Sequence, residues 1–147
     1  MTDARLTLTI APAPPIFVVD LWDDVALDFG ALNAVRVEPR RWWLIGVDAP
    51  PPALTSQLSG HGSLTPNGGG LMRAVLAGMG WRTAAMVSGW FNAEDAAFTI
   101  GNAGATLIHH SPVWLHVVEA DVCHAYYPAS MSAPMARHWQ HLEKAGS

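Results

Sequence analysis

The stretch PVWLHVVEADVCHAYY, residues 112 to 127, decides the fold. Two runs rich in Val, Trp and Tyr flank the short polar segment Glu-Ala-Asp, and this composition is typical of two β-strands joined by a tight turn. Strands joined by so short a turn are antiparallel. The stretch therefore predicts a hairpin and, with it, an antiparallel sheet.

An amphipathic helix is predicted to follow this hairpin, beginning at Ser130 or Ser132. Pro134 falls in its first turn, where the missing backbone N–H is tolerated because no helical partner is needed there. The apolar residues recur at spacings of four, four and three, which places them on one face. They are Met131, Met135, Trp139 and Leu142, and the polar residues opposite are Arg137, Gln140, Glu143 and Lys144.

Five further strands are predicted upstream, from alternating or β-branched apolar runs. They are Leu6 to Ile10, Ile16 to Trp22, the run AVRVE before Pro39, Arg41 to Val47, and Leu71 to Gly78. Pro39 and Arg40 form a hairpin turn between two of them. The Pro- and Gly-rich segments DAPPPA and SGHGSLTPNGGG are interpreted as one mobile loop around a short helical LTSQL.

Two more helical segments are predicted between the last of these strands and the hairpin. One is WRTAAMVSG, ending at Gly89, and the other is AEDAAF, opened by a capping pair of Asn92 and Asp95. Together the elements predict an α+β fold, an antiparallel or mixed sheet with interspersed helices. Residues 1–147 are interpreted as a single domain.

Composition limits the classes of partner. The net charge is −4 with only 8 Lys and Arg, so no basic stripe exists for nucleic acid. The uncharged run Ala96 to Val118 is broken by Gly, Asn, His, Ser and Pro, which excludes a membrane-spanning helix.

Cys123 is the single cysteine, and Met1 to Ile10 lacks an apolar signal core, so we expect a cytoplasmic protein. Seven Trp and half hydrophobic residues predict an exposed apolar patch and a protein partner.

Clustered histidines raise the question of a metal site. Within sixteen residues lie His109, His110, His116, Glu119, Asp121, Cys123 and His124. A two-residue turn at Ala120 and Asp121 points His116 and His124 to opposite faces, whereas a three-residue turn from Glu119 places them side by side. The pairing supplies at most two ligands and no C-x-x-C or H-E-x-x-H spacing occurs, so we assign no metal ligands.

The sequence also lacks the residue motifs typical of nucleophilic or acid–base catalysis. Neither Ser59 nor Ser88 lies in a G-x-S-x-G motif. Cys123 and His124 are adjacent on a predicted strand and face opposite ways, so the thiol is interpreted as a buried small hydrophobe. Asp23 with Asp24 indicates a solvated turn, and Glu94 with Asp95 suits the N-terminus of a short helix. We assign no catalytic and no cofactor-binding residues.

Two adjacent tryptophans are the remaining group of residues with a possible functional role. Trp42 and Trp43 are neighbours on a strand, so one faces the core and the other faces away, at an interface or under a loop. Packing beneath the final helix is the alternative interpretation.

The stretch FTIGNAGAT, residues 98 to 106, lacks the preceding strand and the following helix of a phosphate loop. Its glycines are interpreted as permitting the turn into the next strand. Phe98, Gly101 and Thr106 also match an F-x-x-G-x-x-x-x-T spacing. With EPRRWWLIG, LAGMGWRTAAMVSGWFNAEDAAF, TLIHHSPVWLHVVEADVCHAYYPASM and Trp139 in the closing helix, the sequence resembles the gamma subunit of heterotetrameric sarcosine oxidase over residues 38–142.

A more distant resemblance is to the folate-binding aminomethyltransferases, the glycine-cleavage T-protein family. Together the two resemblances imply a fold like the aminomethyltransferase folate-binding domain and a role as a small subunit. They also imply that flavin, NAD and tetrahydrofolate are held by larger flavoprotein subunits, which demethylate sarcosine oxidatively. The chain departs from the family in two places: its last hairpin has EAD instead of a Gly-rich turn with a pterin-binding acid, and Ala129 stands where an Arg is usual.

The leading hypothesis is therefore a non-catalytic subunit, or subunit-like protein, of a sarcosine-oxidase-type complex. Two alternatives stay open. One is a stand-alone folate or one-carbon-binding protein or enzyme, with a carboxylate such as Glu119 or Asp121 in a deep pocket. The other is a ligand-free protein that associates with a copy of itself through Trp-lined surface.

Overall fold

A computed structural model describes residues 6–67, 69–78, 80–81, 103–108 and 110–145. In chain order its strands and helices are β1 (Thr7–Pro12), β2 (Ile16–Leu21), β3 (Ala34–Glu38), β4 (Arg41–Ile45), α1 (Pro52–Leu58), β5 (Gly62–Pro66), β6 (Leu71–Ala77), β7 (Ala103–Ile108), β8 (Ser111–Glu119), β9 (Val122–Pro128) and α2 (Ser132–Ala145). The strand pairings among these residues are antiparallel. The predicted α+β class with antiparallel sheet is confirmed.

The chain divides into two compact units. Unit 1 contains Met1–Pro12 and Gly70–Ser147, and unit 2 contains Ala13–Gly69. Unit 2 is therefore inserted between β1 and β6 of unit 1, and Pro12 lies opposite Met72 where the insertion begins and ends. The single domain expected from the sequence stays a prediction.

Unit 1 is built on a five-stranded sheet in the order β1-β6-β9-β8-β7. Every second residue of β8 is buried, and most of β6 and β9 follows the same period-2 alternation, as expected for strands with one face on the core. The inner face carries Ala74, Leu76, Val113, Leu115, Val117, Cys123, Ala125 and Tyr127. Helix α2 contributes Met135, Trp139 and Leu142 to the same core, and Met131 packs against it from the preceding 3₁₀ turn Ala129–Met131. The predicted apolar face of the final helix is confirmed.

Unit 2 is built on a four-stranded sheet in the order β3-β4-β2-β5. The predicted hairpin turn at Pro39 and Arg40 joins β3 to β4, and α1 covers the predicted helical LTSQL. The core of this unit is mainly aliphatic and combines strand and helix residues: Phe17, Val19, Leu21, Leu44, Leu54 and Leu58.

One loop prediction was wrong, because SGHGSLTPNGGG contains the edge strand β5. This strand pairs with β2, with Gly62 opposite Leu21 and Leu64 opposite Val19. A side chain at Gly62 would clash with the backbone carbonyl oxygen of Asp20, so glycine allows the two strands to approach. The predicted helices WRTAAMVSG and AEDAAF, the pairs Asn92 with Asp95 and Glu94 with Asp95, and the turn at Gly101 lie outside the described residues, apart from Trp81.

Strand β1 also runs further than expected, through Ala11 to Pro12, which lies on the edge of the sheet where a proline removes no ladder hydrogen bond. Gly104 of the FTIGNAGAT stretch lies inside β7 rather than in a turn. None of the helices in the described part of the chain has the length and hydropathy of a membrane span.

Candidate functional site

The β8–β9 hairpin brings the two central histidines together. His116 lies directly opposite His124, Val117 opposite Cys123, and Glu119 opposite Val122. The turn has the two residues Ala120 and Asp121, which alone would separate the histidines onto opposite faces. A bulge at Val118 shifts the register by one residue and restores the pairing. The hairpin therefore has the two-residue turn of the first alternative, but its two histidines lie side by side, as the three-residue turn had predicted.

Hydrogen bonds from the segment after β6 hold this turn in place. The indole Nε1 of Trp81 donates to the carbonyl oxygen of Ala120 at 3.3 Å. The backbone N–H of Gly78 donates to the carbonyl oxygen of Asp121 at 2.8 Å. The Trp81 side chain is 1% exposed and belongs to the core of unit 1. The hairpin tip is thus fixed by a buried aromatic residue rather than by its own sequence alone.

A polar and aromatic surface, which we call the histidine face, lies on the side of the sheet opposite the core. Register places Arg73 opposite Tyr126, Tyr126 opposite Trp114, and His124 opposite His116. The ring centroids of His116 and His124 are 6.4 Å apart, as are those of His124 and Tyr126. Pairing of the strands therefore brings Arg73, which is distant in sequence, next to the aromatic and imidazole side chains of the hairpin.

Burial controls the electrostatics of this face. Burial, then the charge of Arg73 and then that of His116, lowers the pKa of His124 from 6.5 to about 4. Burial also lowers the pKa of His116 and raises that of Tyr126, against a hydrogen bond from Arg73 that opposes the rise. Both imidazoles are consequently neutral at neutral pH. The Nδ1 atom of His116 is buried without a hydrogen-bond partner among the described residues.

This arrangement is better suited to hydrogen bonding than to metal binding or proton transfer. Two neutral imidazoles fall short of the three or four ligands of a zinc site, and the Arg73 guanidinium repels a cation. In the described part of the chain, no group of three or more His, Cys, Asp and Glu side chains converges. A base with a pKa of about 4 removes protons poorly at pH 7, where a general base works best with a pKa near the operating pH.

The other residues singled out from the sequence are scattered. His110 is exposed with φ of 64° in the β7–β8 turn, and His109 lies outside the described residues. Glu119 and Asp121 are exposed at the hairpin tip. Cys123 is fully buried in the unit 1 core, on the opposite face from His124, so its thiol does not meet that imidazole.

Of the two adjacent tryptophans, one is buried and the other is partly covered, so neither of them is an exposed aromatic residue. Trp43 is 4% exposed, and Trp42 is partly covered, with the Arg36 guanidinium 5.3 Å from its ring and Phe29 at 5.7 Å. Trp22, expected at the end of a buried strand, is instead 64% exposed just beyond β2. The signal available in the sequence was the acidic pair that follows it, because charged residues after an apolar run mark the end of a buried strand.

Two other large apolar side chains among the described residues are exposed, Leu107 on the edge strand β7 and Ile10 on the edge strand β1. Unit 2 also has a cavity of about 320 Å³ whose lining includes Pro14, Pro15, Phe17, Asp48 and Asn67. Asp48 is the titratable residue in this lining, so the cavity holds no base with a nucleophile beside it.

No protein-family model matches the chain, and no curated protein matches its sequence. A solved structure does match: a chain of heterotetrameric sarcosine oxidase from Corynebacterium sp. U-96, in complex with pyrrole 2-carboxylate. The match has a TM-score of 0.62 and 14% identity, and covers 99% of this chain and 85% of that chain. The two chains share a fold. At this identity the likeness concerns the fold alone.

Proposed function

We propose that this chain is a non-catalytic small subunit, or subunit-like protein, of a sarcosine-oxidase-type flavoenzyme complex. The observation that carries the proposal is the fold likeness over 99% of this chain and 85% of a sarcosine oxidase chain. Because nearly all of one aligns with most of the other, the matched chain is only slightly longer than this one. The modest size of the matched chain supports a small subunit over a large catalytic one.

In such a complex the chemistry belongs to the partners. The larger subunits would carry flavin, NAD and tetrahydrofolate and would oxidatively demethylate sarcosine, passing the one-carbon unit to tetrahydrofolate. This chain would contribute to assembly. Two observations support that division: the buried Cys123 lies on the opposite face from His124, and His124 is a weak base at neutral pH.

A stand-alone folate-binding protein is less well supported by the described residues. That hypothesis needs a carboxylate in a deep pocket, and Glu119 and Asp121 are both exposed at the hairpin tip. An exposed carboxylate is solvated and cannot offer a pterin the desolvated hydrogen bond of a buried site. Self-association through Trp22 or Leu107 is the remaining alternative, since exposed apolar side chains serve a second copy as well as a different partner.

Copurification from the native host tests the proposal. The affinity-tagged chain, expressed there and purified at low ionic strength, should elute with larger flavoprotein subunits at stoichiometric yield, seen as flavin absorbance and identified by mass spectrometry. Elution of the chain alone, or as a homodimer by light scattering, would contradict the proposal. Isothermal titration of the isolated chain with tetrahydrofolate should give no heat, and a saturating heat would favour the folate-binding alternative instead.

A further inference from the structure

Trp22 differs from the other large aromatic residues of the described chain. Trp43, Trp81 and Trp139 are at most 4% exposed, whereas Trp22 is 64% exposed. A tryptophan in water leaves a large apolar area unburied, and tryptophan is among the residues most enriched at binding hot spots. Its exposure calls for a partner rather than for a packing explanation.

The backbone of Trp22 is held on both sides. Its N–H donates to the carbonyl oxygen of His61 at 2.8 Å, and its own carbonyl oxygen accepts from Nη1 of Arg40 at 3.0 Å. The adjacent Leu21 N–H donates to the carbonyl oxygen of Arg40 at 2.9 Å. Two segments distant in sequence thus fix the position from which the indole projects. Such preorganisation lowers the entropy that binding must remove.

The two residues that follow Trp22 make polar contacts with the two residues that hold its backbone. Nδ1 of His61 lies 3.1 Å from Oδ2 of Asp23, and Nε of Arg40 lies 3.3 Å from Oδ1 of Asp24. The Asp23 and Asp24 side chains are 53% and 90% exposed, so the predicted solvated turn is exposed but also makes polar contacts. Exposed pairs of this kind add little to folding stability. They form instead the polar rim that commonly surrounds a binding anchor.

The net charge of this polar rim indicates which kind of partner surface fits it. The carboxylates of Asp23 and Asp24 outnumber the single guanidinium of Arg40, which makes this surface acidic. A second copy docking through the same patch by a two-fold axis would bring Asp23 and Asp24 against their own equivalents, and like charges across an interface are unfavourable. A different surface, with an apolar pocket edged by Lys or Arg, is complementary in both shape and charge.

We propose that Trp22 is the anchor by which this chain docks onto a larger subunit, inserting its indole into an apolar pocket whose rim is basic. The inference rests on the proposed function and names the contact through which that function is exercised. Asp23 and Asp24 provide the charge complementarity, and the bonds from His61 and Arg40 hold the anchor in place.

The test compares four full-length tagged chains purified from the native host: the natural chain, Trp22→Ala, Asp24→Lys and the control Leu107→Ala. Leu107 is 69% exposed and lies in unit 1, so its truncation matches the loss of exposed apolar surface. The amount of flavoprotein that copurifies per chain should fall about tenfold or more in Trp22→Ala, relative to the natural sequence. Asp24→Lys should retain less at low salt, with the deficit shrinking as salt rises. Leu107→Ala should behave like the natural chain.

The outcomes separate the two proposals. If the natural chain retains a flavoprotein and Trp22→Ala retains as much, the anchor is wrong while the proposed function stands. Equal losses from Leu107→Ala and Trp22→Ala would also overturn it. If the natural chain retains no flavoprotein, the proposed function fails and the anchor fails with it. A homodimer that Trp22→Ala dissociates in light scattering would reassign the patch to self-association. Unchanged urea midpoints for the variants exclude misfolding as the cause of any loss.

Discussion

The two units reach stability by different means. Unit 1 has strands of up to nine residues and a helix of fourteen, with Tyr127, Trp81 and Trp139 fully buried between them. Unit 2 has strands of five or six residues, a helix of seven and a small, mainly aliphatic core. Its arginines instead make polar and ring contacts with neighbouring strand and turn residues. Unit 1 is therefore a core-stabilised scaffold, and unit 2 carries the exposed aromatic and charged groups suited to recognition.

Removal of the largest buried side chain should test the first half of this comparison most severely. Trp139→Ala removes a 0% exposed indole whose ring centroid is 5.8 Å from that of Tyr127. The lost burial and the remaining cavity should reduce the free energy of unfolding by about 3 to 5 kcal/mol, measured by urea denaturation. The exposed His141→Ala on the same helix is the control and should change it by less than about 0.5 kcal/mol. Equal effects of the two would contradict a core centred on Trp139.

Unit 2 should be sensitive to backbone geometry rather than to lost volume. Gly62→Ala forces a methyl group against the backbone of Asp20 and lies 3.2 Å from Cα of Leu21, so β5 must move away from β2. We expect a loss of about 1 to 3 kcal/mol and faster hydrogen exchange in β5. Gly70→Ala is the matched control, because a methyl group there meets nothing within 4 Å. If both variants are equally stable, the close approach of β5 and β2 is not required.

The sequence predicted those parts of the fold that depend on local periodicity. Alternation identified β1 and β3, β-branched and aromatic composition identified β2, β8 and β9, and the four-four-three spacing identified α2. It failed at β5, where Gly and Pro resemble a loop and only pairing with β2 makes a strand. Pairings of this kind join distant segments and leave no local pattern.

The candidate site was predictable to the same extent. Clustering in sequence showed that His116 and His124 share a hairpin, but a bulge at Val118 decided that they share a face. Arg73 was missed entirely, since it joins the histidine face through the pairing of β6 with β9. The exposure of Trp22 was also missed, although the acidic pair Asp23 and Asp24 that follows it marks the end of the buried strand.

The pH dependence of stability should distinguish the histidine face from ordinary surface histidines. With a pKa of about 4 in the folded chain and 6.5 as the ordinary value, His124 takes up a proton at higher pH when unfolded. The free energy of unfolding therefore falls as the pH drops from about 6.5 to about 4, and the penalty is absent above that range. His124→Gln should remove about 1 to 2 kcal/mol of this fall, a value reduced for the partial exposure of the ring.

Urea midpoints at pH 7 and pH 5 measure this effect as a difference between variant and natural chain, which cancels the titration of the carboxylates. The control replaces His141, an exposed histidine of α2, by Gln. A His124→Gln chain as acid-sensitive as the natural one would mean that the imidazole is well solvated when protonated.

The smallest expected change in stability concerns the contact between Arg36 and Trp42 in unit 2. The Arg36 guanidinium lies 5.3 Å from the Trp42 ring centroid and donates to the carbonyl oxygen of Pro39 from Nη2 at 2.6 Å. Arg36→Ala should cost about 0.5 to 1 kcal/mol in urea unfolding, since the contact is exposed. Arg36→Lys keeps the charge but loses the planar fork, so it should recover only part of the loss. Equal stability of Arg36→Ala and the natural chain would show that the polar edge of unit 2 adds nothing to folding, and would leave recognition as the reason for its charges.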